Sequence, residues 1–351
     1  MSEQPLTRDL AEVMESLGRT LEAKAKKEAM PNKENYKPLT RAQNKLLDAS
    51  VVIFGEPATK KDAAFIAREL VQASLPHKNP GDVPVWTRRN GNTSLSILPG
   101  RNSKTGESYG YPYGTIPRLL LFWMTTEATR NKGRGCENPR RLELGSTLSG
   151  FMTELGLDPN RGGKRSDARR LREQMERLFR SLFSFEKHHG DDTRSGKAWL
   201  DMQVAPEGEL WWSMKDSQQT QLWGSWIELG QRFYEAITAA PVPVDIRALK
   251  ALKRSPLALD LYSWLTYEAF RAHKSGRSRY ETWTQLHTHI GSEYGRIDRF
   301  RSKAKAALLK IGNVYPGLKL GRKQGGVEIL PESYPALRPR QVTLDGTCKT
   351  L

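Results

Sequence analysis

Two sets of basic side chains, each spaced to fall on one face of a helix, offer the chemistry of nucleic-acid contact. Arg and Lys donate hydrogen bonds to phosphate oxygens and to the O6 and N7 acceptors of guanine, and Ser can contact base or phosphate. Placing successive residues about 100° apart sets each group opposite an apolar stripe. The first set, with the residues leading into it, is Arg161, Lys164, Arg165, Ser166, Arg169, Arg170 and Arg177. The second is Tyr294, Arg296, Arg299, Ser302, Lys303 and Lys310.

Acidic neighbours distinguish the two sets. Glu173 and Glu176 interrupt the first set, and an Arg169–Glu173 pair at i,i+4 spacing would also suit an ordinary solvated helix face. The second set contains only Asp298. The second set is therefore predicted to be the main DNA-reading surface.

Two histidine pairs could serve metal-binding or nicking chemistry. His188-His189 lies beside Asp191-Asp192, but the segment is rich in Gly and Asp and is typical of an exposed loop. His287 and His289 resemble the paired histidines of strand-borne nicking enzymes, yet their apolar neighbours follow a helical period. The sequence has no Walker lysine motif and no G-x-G-x-x-G after a predicted strand. It therefore predicts a protein that is not an enzyme and that needs neither metal nor cofactor.

An internal repeat supplies the elements that must position the basic side chains. The motif W-x-T-x-E-A occurs at Trp123–Ala128 and again at Trp264–Ala269, each downstream of a proline that suits a helix start. Each copy continues with a shorter apolar segment, a long amphipathic helix and a candidate β-hairpin. The apolar stripes of the two long helices have the same six offsets: Ala168, Leu171, Met175, Leu178, Phe179 and Leu182, and Ile297, Phe300, Ala304, Ala307, Leu308 and Ile311.

This order of elements is that of a winged helix, although stripes near the helical period also match by chance. The predicted fold class is α+β, with two tandem winged-helix domains (helix-turn-helix plus β-wing). The tip of the second wing, Arg322 and Lys323, is predicted to lie beside the minor groove or the phosphate backbone. Upstream of the repeat, residues 63–74 are predicted to form a helix, and Asn90-Gly91-Asn92 is predicted to turn a β-hairpin.

Domain boundaries follow from these elements. Residues 1–48 are predicted to form an N-terminal helix and flexible linker, and residues 49–114 a helical segment, hairpin and loop. The first winged-helix domain is assigned to residues 115–230 and the second to residues 231–332. Residues 333–351 are predicted to be a disordered tail.

Charge and composition agree with a nucleic-acid partner. The 351 residues carry 56 Lys and Arg against 39 Asp and Glu, giving a formal charge of +17, which favours a polyanionic partner. Two cysteines are too few for a disulfide scaffold. The first residues have no apolar signal segment, and the longest apolar run, Leu119–Met124, is too short to cross a bilayer. We therefore expect a cytoplasmic protein without membrane contact.

Two segments resemble the RepA family of plasmid-encoded bacterial replication initiators. They are Tyr111–Leu120 (YPYGTIPRLL) and Pro241–Tyr267 (PVPVDIRALKALKRSPLALDLYSWLTY), and Leu222-Trp223 also fits that family. The resemblance covers roughly residues 105–332.

The resemblance implies a non-enzymatic initiator. Such a protein binds direct repeats (iterons) of double-stranded DNA in a plasmid origin, helps to open an AT-rich segment, and recruits host replication machinery such as the replicative helicase or the host initiator. It also implies a possible homodimer that represses its own promoter, and a part in plasmid copy number control. A winged-helix transcriptional repressor without an initiator role remains the alternative, and a nicking relaxase is a third reading.

Overall fold

Helices and antiparallel strands alternate along the chain, whose computed structural model describes residues 40–160, 166–190, 195–211, 224–291 and 294–337. The helices are α1 (Arg41–Gly55), α2 (Arg68–Gln72), α3 (Thr115–Gly133), α4 (Leu148–Glu154), α5 (Asp167–Phe179), α6 (Gln231–Ala239), α7 (Ile246–Leu252), α8 (Pro256–Ser275), α9 (Trp283–Ile290) and α10 (Ile297–Gly312). The strands are β1 (Ala63–Ala67), β2 (Trp86–Asn90), β3 (Thr93–Leu98), β4 (Arg141–Glu143), β5 (Leu182–Gly190), β6 (Ser195–Gln203), β7 (Glu207–Glu209), β8 (Trp226–Glu228), β9 (Pro241–Asp245), β10 (Arg279–Thr282) and β11 (Gly326–Ile329). The predicted α+β class is confirmed.

Four sheets are formed by the described strands. Their orders are β2-β3-β5-β6, β4-β8-β7, β1-β9 and β10-β11. The predicted hairpin at Asn90-Gly91-Asn92 is confirmed, because Asn90 pairs with Thr93 across a two-residue turn. Gly91 has φ +56°, a left-handed conformation that glycine adopts without strain.

The two copies of the sequence repeat have the same order of elements. In the first copy α3 is followed by β4, α4, α5 and the β5–β6 hairpin. In the second copy α8 is followed by β10, α9, α10 and β11. Polar caps set the helix starts: Ser255 accepts a hydrogen bond from Ala258 N in α8, and Thr282 forms a capping box with Gln285 in α9.

A continuous hydrophobic core runs through both copies. The central helices α3 and α8 are buried along most of their length, and the apolar run Leu119–Met124 lies inside α3. Within the described ranges, no helix combines the length and hydropathy that a membrane span requires.

A buried ion pair joins the two central helices. Arg118 in α3 donates two hydrogen bonds to Asp260 in α8. One runs from Nε to Oδ1 and the other from Nη2 to Oδ2, and each is 2.7 Å long. His77 Nε2 lies 2.8 Å from the same carboxylate. The guanidinium also donates to the backbone carbonyls of Leu75, Pro76 and Gly114. The two copies are therefore tied to each other and to the preceding loop.

The helix predicted for residues 63–74 is wrong in its first half. Residues Ala63–Ala67 form β1, which pairs antiparallel with β9, and only Arg68–Gln72 are helical. Phe65 N donates to Thr126 Oγ1 of α3, so that the other edge of β1 is also held. Pairing with a distant strand outweighs the helix propensity of this alanine-rich segment.

The structure also changes three smaller expectations. Leu182 begins β5 instead of ending the apolar stripe of α5. Ile297, predicted to belong to the apolar stripe of α10, is 41% exposed. Helix α1 runs through the boundary predicted after residue 48, while residues 1–39 lie outside the described part of the chain.

The disorder predicted from residue 333 is wrong for residues 333–337. Ser333 Oγ accepts from Lys319 N and donates to Lys319 O, and Leu337 is buried. Tyr315 donates to the carbonyl of Tyr334. Residues 338–351 lie outside the described residues.

Candidate nucleic-acid interface

The second basic set lies on the solvent face of α10. The opposite face is buried through Phe300, Ala304, Ala307, Leu308 and Ile311. On the other face, Arg299, Ser302, Lys303 and Lys310 are all exposed. None of the ion pairs formed by the described residues involves Arg299, Lys303 or Lys310. This face therefore carries positive charge that no carboxylate of the described chain offsets.

The residues that lead into α10 are engaged locally. Arg296 forms a forked pair with Asp298, Nε to Oδ1 at 3.0 Å and Nη2 to Oδ2 at 2.9 Å. Both side chains are exposed, and the pairing lowers the pKa of Asp298. The Tyr294 ring packs edge-on against Phe300 and His77. Arg296 can therefore contact a phosphate only if its pair with Asp298 breaks. Tyr294 packs inside the turn between α9 and α10.

The turn between α9 and α10 is tightly packed. His287 Nε2 lies 2.6 Å from the carbonyl of Tyr294, which fixes the turn at its far end. A Cβ atom on Gly291 would lie 2.5 Å from the ring of Phe300, so this close approach requires glycine. The direction in which α10 leaves the turn is thus set by Gly291, His287 and Phe300.

The first basic set, on α5, is largely neutralised by its neighbours. Arg169 pairs with Glu173 at 3.0 Å, and Arg170 pairs with Asp167 at 3.3 Å. Ser166 caps the helix by accepting from Arg169 N. Arg161, Lys164 and Arg165 lie outside the described residues.

Arg177 is half-buried against the loop before α3. Its guanidinium donates to the carbonyl of Tyr111 and sits 5.2 Å from the ring centroid of Tyr113. The structure therefore brings Arg177 together with an aromatic loop and not with the exposed part of α5.

After α10 the chain folds back on β11, because Leu320 bridges to Ile329 and Gly321 N donates to the carbonyl of Glu328. The tip of this hairpin is fixed by Tyr280. Lys323 Nζ lies 4.2 Å from the Tyr280 ring centroid, and the Tyr280 hydroxyl donates to the carbonyl of Gln324. Arg322 is exposed beside it. The two basic residues of the tip thus differ, since a cation–π contact holds Lys323 and Arg322 reaches into solvent.

The two histidine pairs differ in their surroundings. His287 and His289 lie on α9, as their helical period predicted, and His289 Nε2 is 2.9 Å from the carbonyl of Val71. His188 and His189 are exposed on β5, while Asp191-Asp192 falls outside the described residues. Among the described residues no group of His, Cys, Asp and Glu could hold a metal ion.

The buried ion pair between α3 and α8 and the glycine of the α9–α10 turn were not singled out by the sequence pattern. Arg118 and Asp260 are each a charged residue within a mainly apolar helix, and that signal alone could have marked them as a buried pair. Gly291 gives no such signal, because its need for close approach appears only when Phe300 is in place.

Comparison with known proteins identifies the central part of the chain. The model of the family described as plasmid encoded RepA protein matches residues 111–285, from the loop before α3 to the start of α9. No curated protein gives a significant match. A crystal structure of domains 2 and 3 of RctB, solved as a selenomethionine derivative, is similar at 11% identity and a TM-score of 0.43, covering 80% of this chain and 96% of that chain. A TM-score this low does not establish a shared fold. Through residues 111–285, the chain belongs to the family of plasmid encoded RepA proteins.

Proposed function

We propose that this protein is a plasmid replication initiator that binds direct repeats of double-stranded DNA in the plasmid origin without acting as an enzyme. The observation that supports this most directly is the solvent face of α10, where Arg299, Lys303 and Lys310 are exposed and unpaired within the described chain. A surface of this kind attracts phosphate and can present guanidinium groups to guanine.

The order of elements in each copy supports a tandem winged-helix reading. In that reading α4 with α5, and α9 with α10, are helix-turn-helix pairs. The wings are the β5–β6 hairpin and the hairpin that ends in β11. The N-terminal half of α10 enters the major groove, and Arg322 and Lys323 contact the backbone or minor groove. Helix α5 makes weaker contacts, because Glu173 and Asp167 already pair with its arginines.

Partners beyond DNA follow from the same proposal. The initiator would open an AT-rich segment of the origin and recruit the replicative helicase or the initiator of a bacterial host. It would act in the cytoplasm, and self-association into a homodimer would repress its own promoter and limit plasmid copy number.

Footprinting on the upstream DNA of the same replicon tests this function. Two reading helices on one chain are expected to contact major grooves about one helical turn apart, so that the protected site spans roughly 20 bp and lacks two-fold symmetry. Several such sites in direct repeat beside an AT-rich stretch are expected. A single short palindromic site would instead indicate a repressor, and a covalent tyrosine–DNA product would indicate a nicking relaxase.

A pair of substitutions on α10 separates base reading from phosphate contact. Arg299→Ala is expected to cost about 1–3 kcal/mol of binding to the specific site and to relax the preference at one base pair. Lys310→Ala, about three turns further along the same face, is expected to weaken specific and random DNA equally and to lower the salt slope by about one unit. Titrations of both DNAs at several salt concentrations measure the two effects.

The two variants are controls for each other, because both side chains are exposed cations on one helix. Equal losses on specific and random DNA for Arg299→Ala would contradict its assignment as a base reader. Unchanged binding by both variants would show that α10 does not enter the groove.

A further inference from the structure

Strand β6 forms an open edge of the sheet β2-β3-β5-β6. Among the described strands it pairs only with β5, from Leu182↔Gln203 to Gly190↔Ser195. Its residues from 195 to 201 are exposed, and Trp199 is 66% exposed. A long, exposed edge strand with apolar side chains is a template for pairing with another strand.

The direction of the backbone groups follows from the hydrogen bonds of β5. His188 N donates to Asn92 O on the β3 side, so the alternate residues Phe183 and Phe185 turn their backbone groups toward β6. Their partners Met202 and Leu200 therefore bond to β5. By the same alternation Lys197, Trp199 and Asp201 direct their backbone N–H and C=O groups outward, along the open edge.

We propose that two copies of this chain associate by antiparallel pairing of their β6 strands, about a two-fold axis at Trp199. In this register each outward-directed residue faces another outward-directed residue, so the two edges complete one hydrogen-bonded ladder. Trp199 of one copy faces Trp199 of the other, and Lys197 of each copy faces Asp201 of the other. The contact is isologous, as a closed dimer requires.

The side chains are self-complementary on both faces of the joined sheet. Lys197, Trp199 and Asp201 share one face, on which the two ion pairs flank an aromatic pair. Lys197 Nζ already lies 2.7 Å from Glu186 Oε1, so it would sit between two carboxylates. On the other face the apolar Ala198 meets Leu200 of the other copy.

Neighbouring registers lack this complementarity. Moving the axis by one residue, to Ala198 or Leu200, would set Lys197 or Asp201 opposite Trp199 and would break both ion pairs. Moving it by two residues, to Lys197 or Asp201, would set two ammonium groups or two carboxylates together. Like charges directly opposite each other destabilise a strand pair. The charges on β6 therefore favour the axis at Trp199, and they favour a second copy of this strand as its partner.

Charge reversal on the full chain tests the dimer in the absence of DNA. Sedimentation equilibrium of the unmodified protein is expected to show a concentration-dependent dimer. Lys197→Asp and Asp201→Lys are each expected to weaken it about tenfold or more, because both ion pairs become like-charge pairs.

Mixing the two variants restores opposite charges across the interface. In an equimolar mixture, the carboxylate introduced at position 197 of one variant faces the ammonium group introduced at position 201 of the other. The mixture is therefore expected to recover the dimer. The double variant, which carries both reversals on one chain, is expected to dimerise as well.

Cysteine cross-linking tests the register. Facing residues in a hydrogen-bonded antiparallel pair lie about 5.5 Å apart between Cα atoms, within the reach of a disulfide. Trp199→Cys is therefore expected to cross-link to its own copy at position 199. Lys197→Cys is the matched control. Each cysteine at position 197 would face position 201 of the other copy, four residues away from the second cysteine, so the two would not cross-link.

The inference deepens the homodimer of the proposed function but does not depend on DNA binding. A chain that stays monomeric at all concentrations, variants that dimerise normally, or a mixture that does not recover the dimer would each overturn it. Circular dichroism must give the same spectrum for each variant as for the unmodified chain, and the mixing result is unaffected by small losses of stability. A monomeric chain that gives the expected footprint would rule out only the β6 dimer. A dimeric chain that gives no footprint would rule out only the DNA-binding proposal.

Discussion

Asp260→Asn is expected to lower the free energy of unfolding by about 3–5 kcal/mol, because it leaves the buried guanidinium of Arg118 without its counter-charge. The carboxylate of Asp260 receives two hydrogen bonds of 2.7 Å from Arg118 and lies 2.8 Å from His77 Nε2. Because Asn has nearly the same shape as Asp, the decrease in the free energy of unfolding would come from the lost charge and not from a change in side-chain volume. Denaturant unfolding followed by circular dichroism measures it.

The matched control is Asp298→Asn, which makes the same chemical change in a pair that is fully exposed. Arg296 stays solvated when its partner is lost, so the unfolding midpoint is expected to remain where it is. If Asp260→Asn and Asp298→Asn unfolded at the same midpoint, the pair between α3 and α8 would not stabilise the fold.

The contribution of Asp260 to the free energy of unfolding is expected to depend on pH. Burial raises the pKa of Asp260, but the charge of Arg118 and the hydrogen bonds from His77 and Arg118 outweigh burial and hold it well below its usual range. An unfolded Asp titrates near 3.9, so the contribution is complete above that pH and is lost as the pH falls toward the folded pKa. The difference between the unmodified chain and Asp260→Asn is therefore expected to be constant near neutrality and to shrink below about pH 4.

Phe300→Ala is expected to cost about 3–5 kcal/mol of stability, because the ring is fully buried at the start of α10. The ring packs against His287, with centroids 5.2 Å apart, against Tyr294 at 5.8 Å, and against the backbone of Gly291. Its removal leaves a cavity under the turn that directs α10. Thermal or denaturant unfolding measures the loss.

Arg299→Ala is the neighbouring control for Phe300→Ala. Its side chain is exposed and carries no ion pair within the described chain, so its removal is expected to leave the unfolding midpoint unchanged. A lower midpoint for Arg299→Ala with a normal midpoint for Phe300→Ala would mean that the buried and exposed faces of α10 had been exchanged.

The faces of the long helices could be predicted because local spacing decides them. Phe300, Ala304 and Leu308 recur near the helical period, and burial of that stripe leaves Arg299 and Lys303 outside. The hairpin at Gly91 is also local, since its turn residues set the register of the flanking strands.

Long-range contacts explain what the sequence pattern missed. Arg177 shares the outer face of α5 by spacing, but the loop carrying Tyr111 and Tyr113 covers it. Residues Ala63–Ala67 have helix-forming composition, but a partner strand makes them extended. In each case the deciding neighbour lies far away in the sequence, where no periodicity can reveal it.

The pairing of β1 with β9 imposes an order on synthesis of the chain. Ala67 meets Pro241, about 170 residues later, so β1 leaves the ribosome long before its partner exists. At about 5–20 residues per second the wait is roughly 10–35 s, which is long compared with the folding of most helices and hairpins. The nascent chain must keep the apolar segment Ala63–Ala67 from pairing wrongly until β9 emerges. Folding of this protein is therefore expected to be completed late in translation, with β1 as a segment that chaperones can bind during that interval.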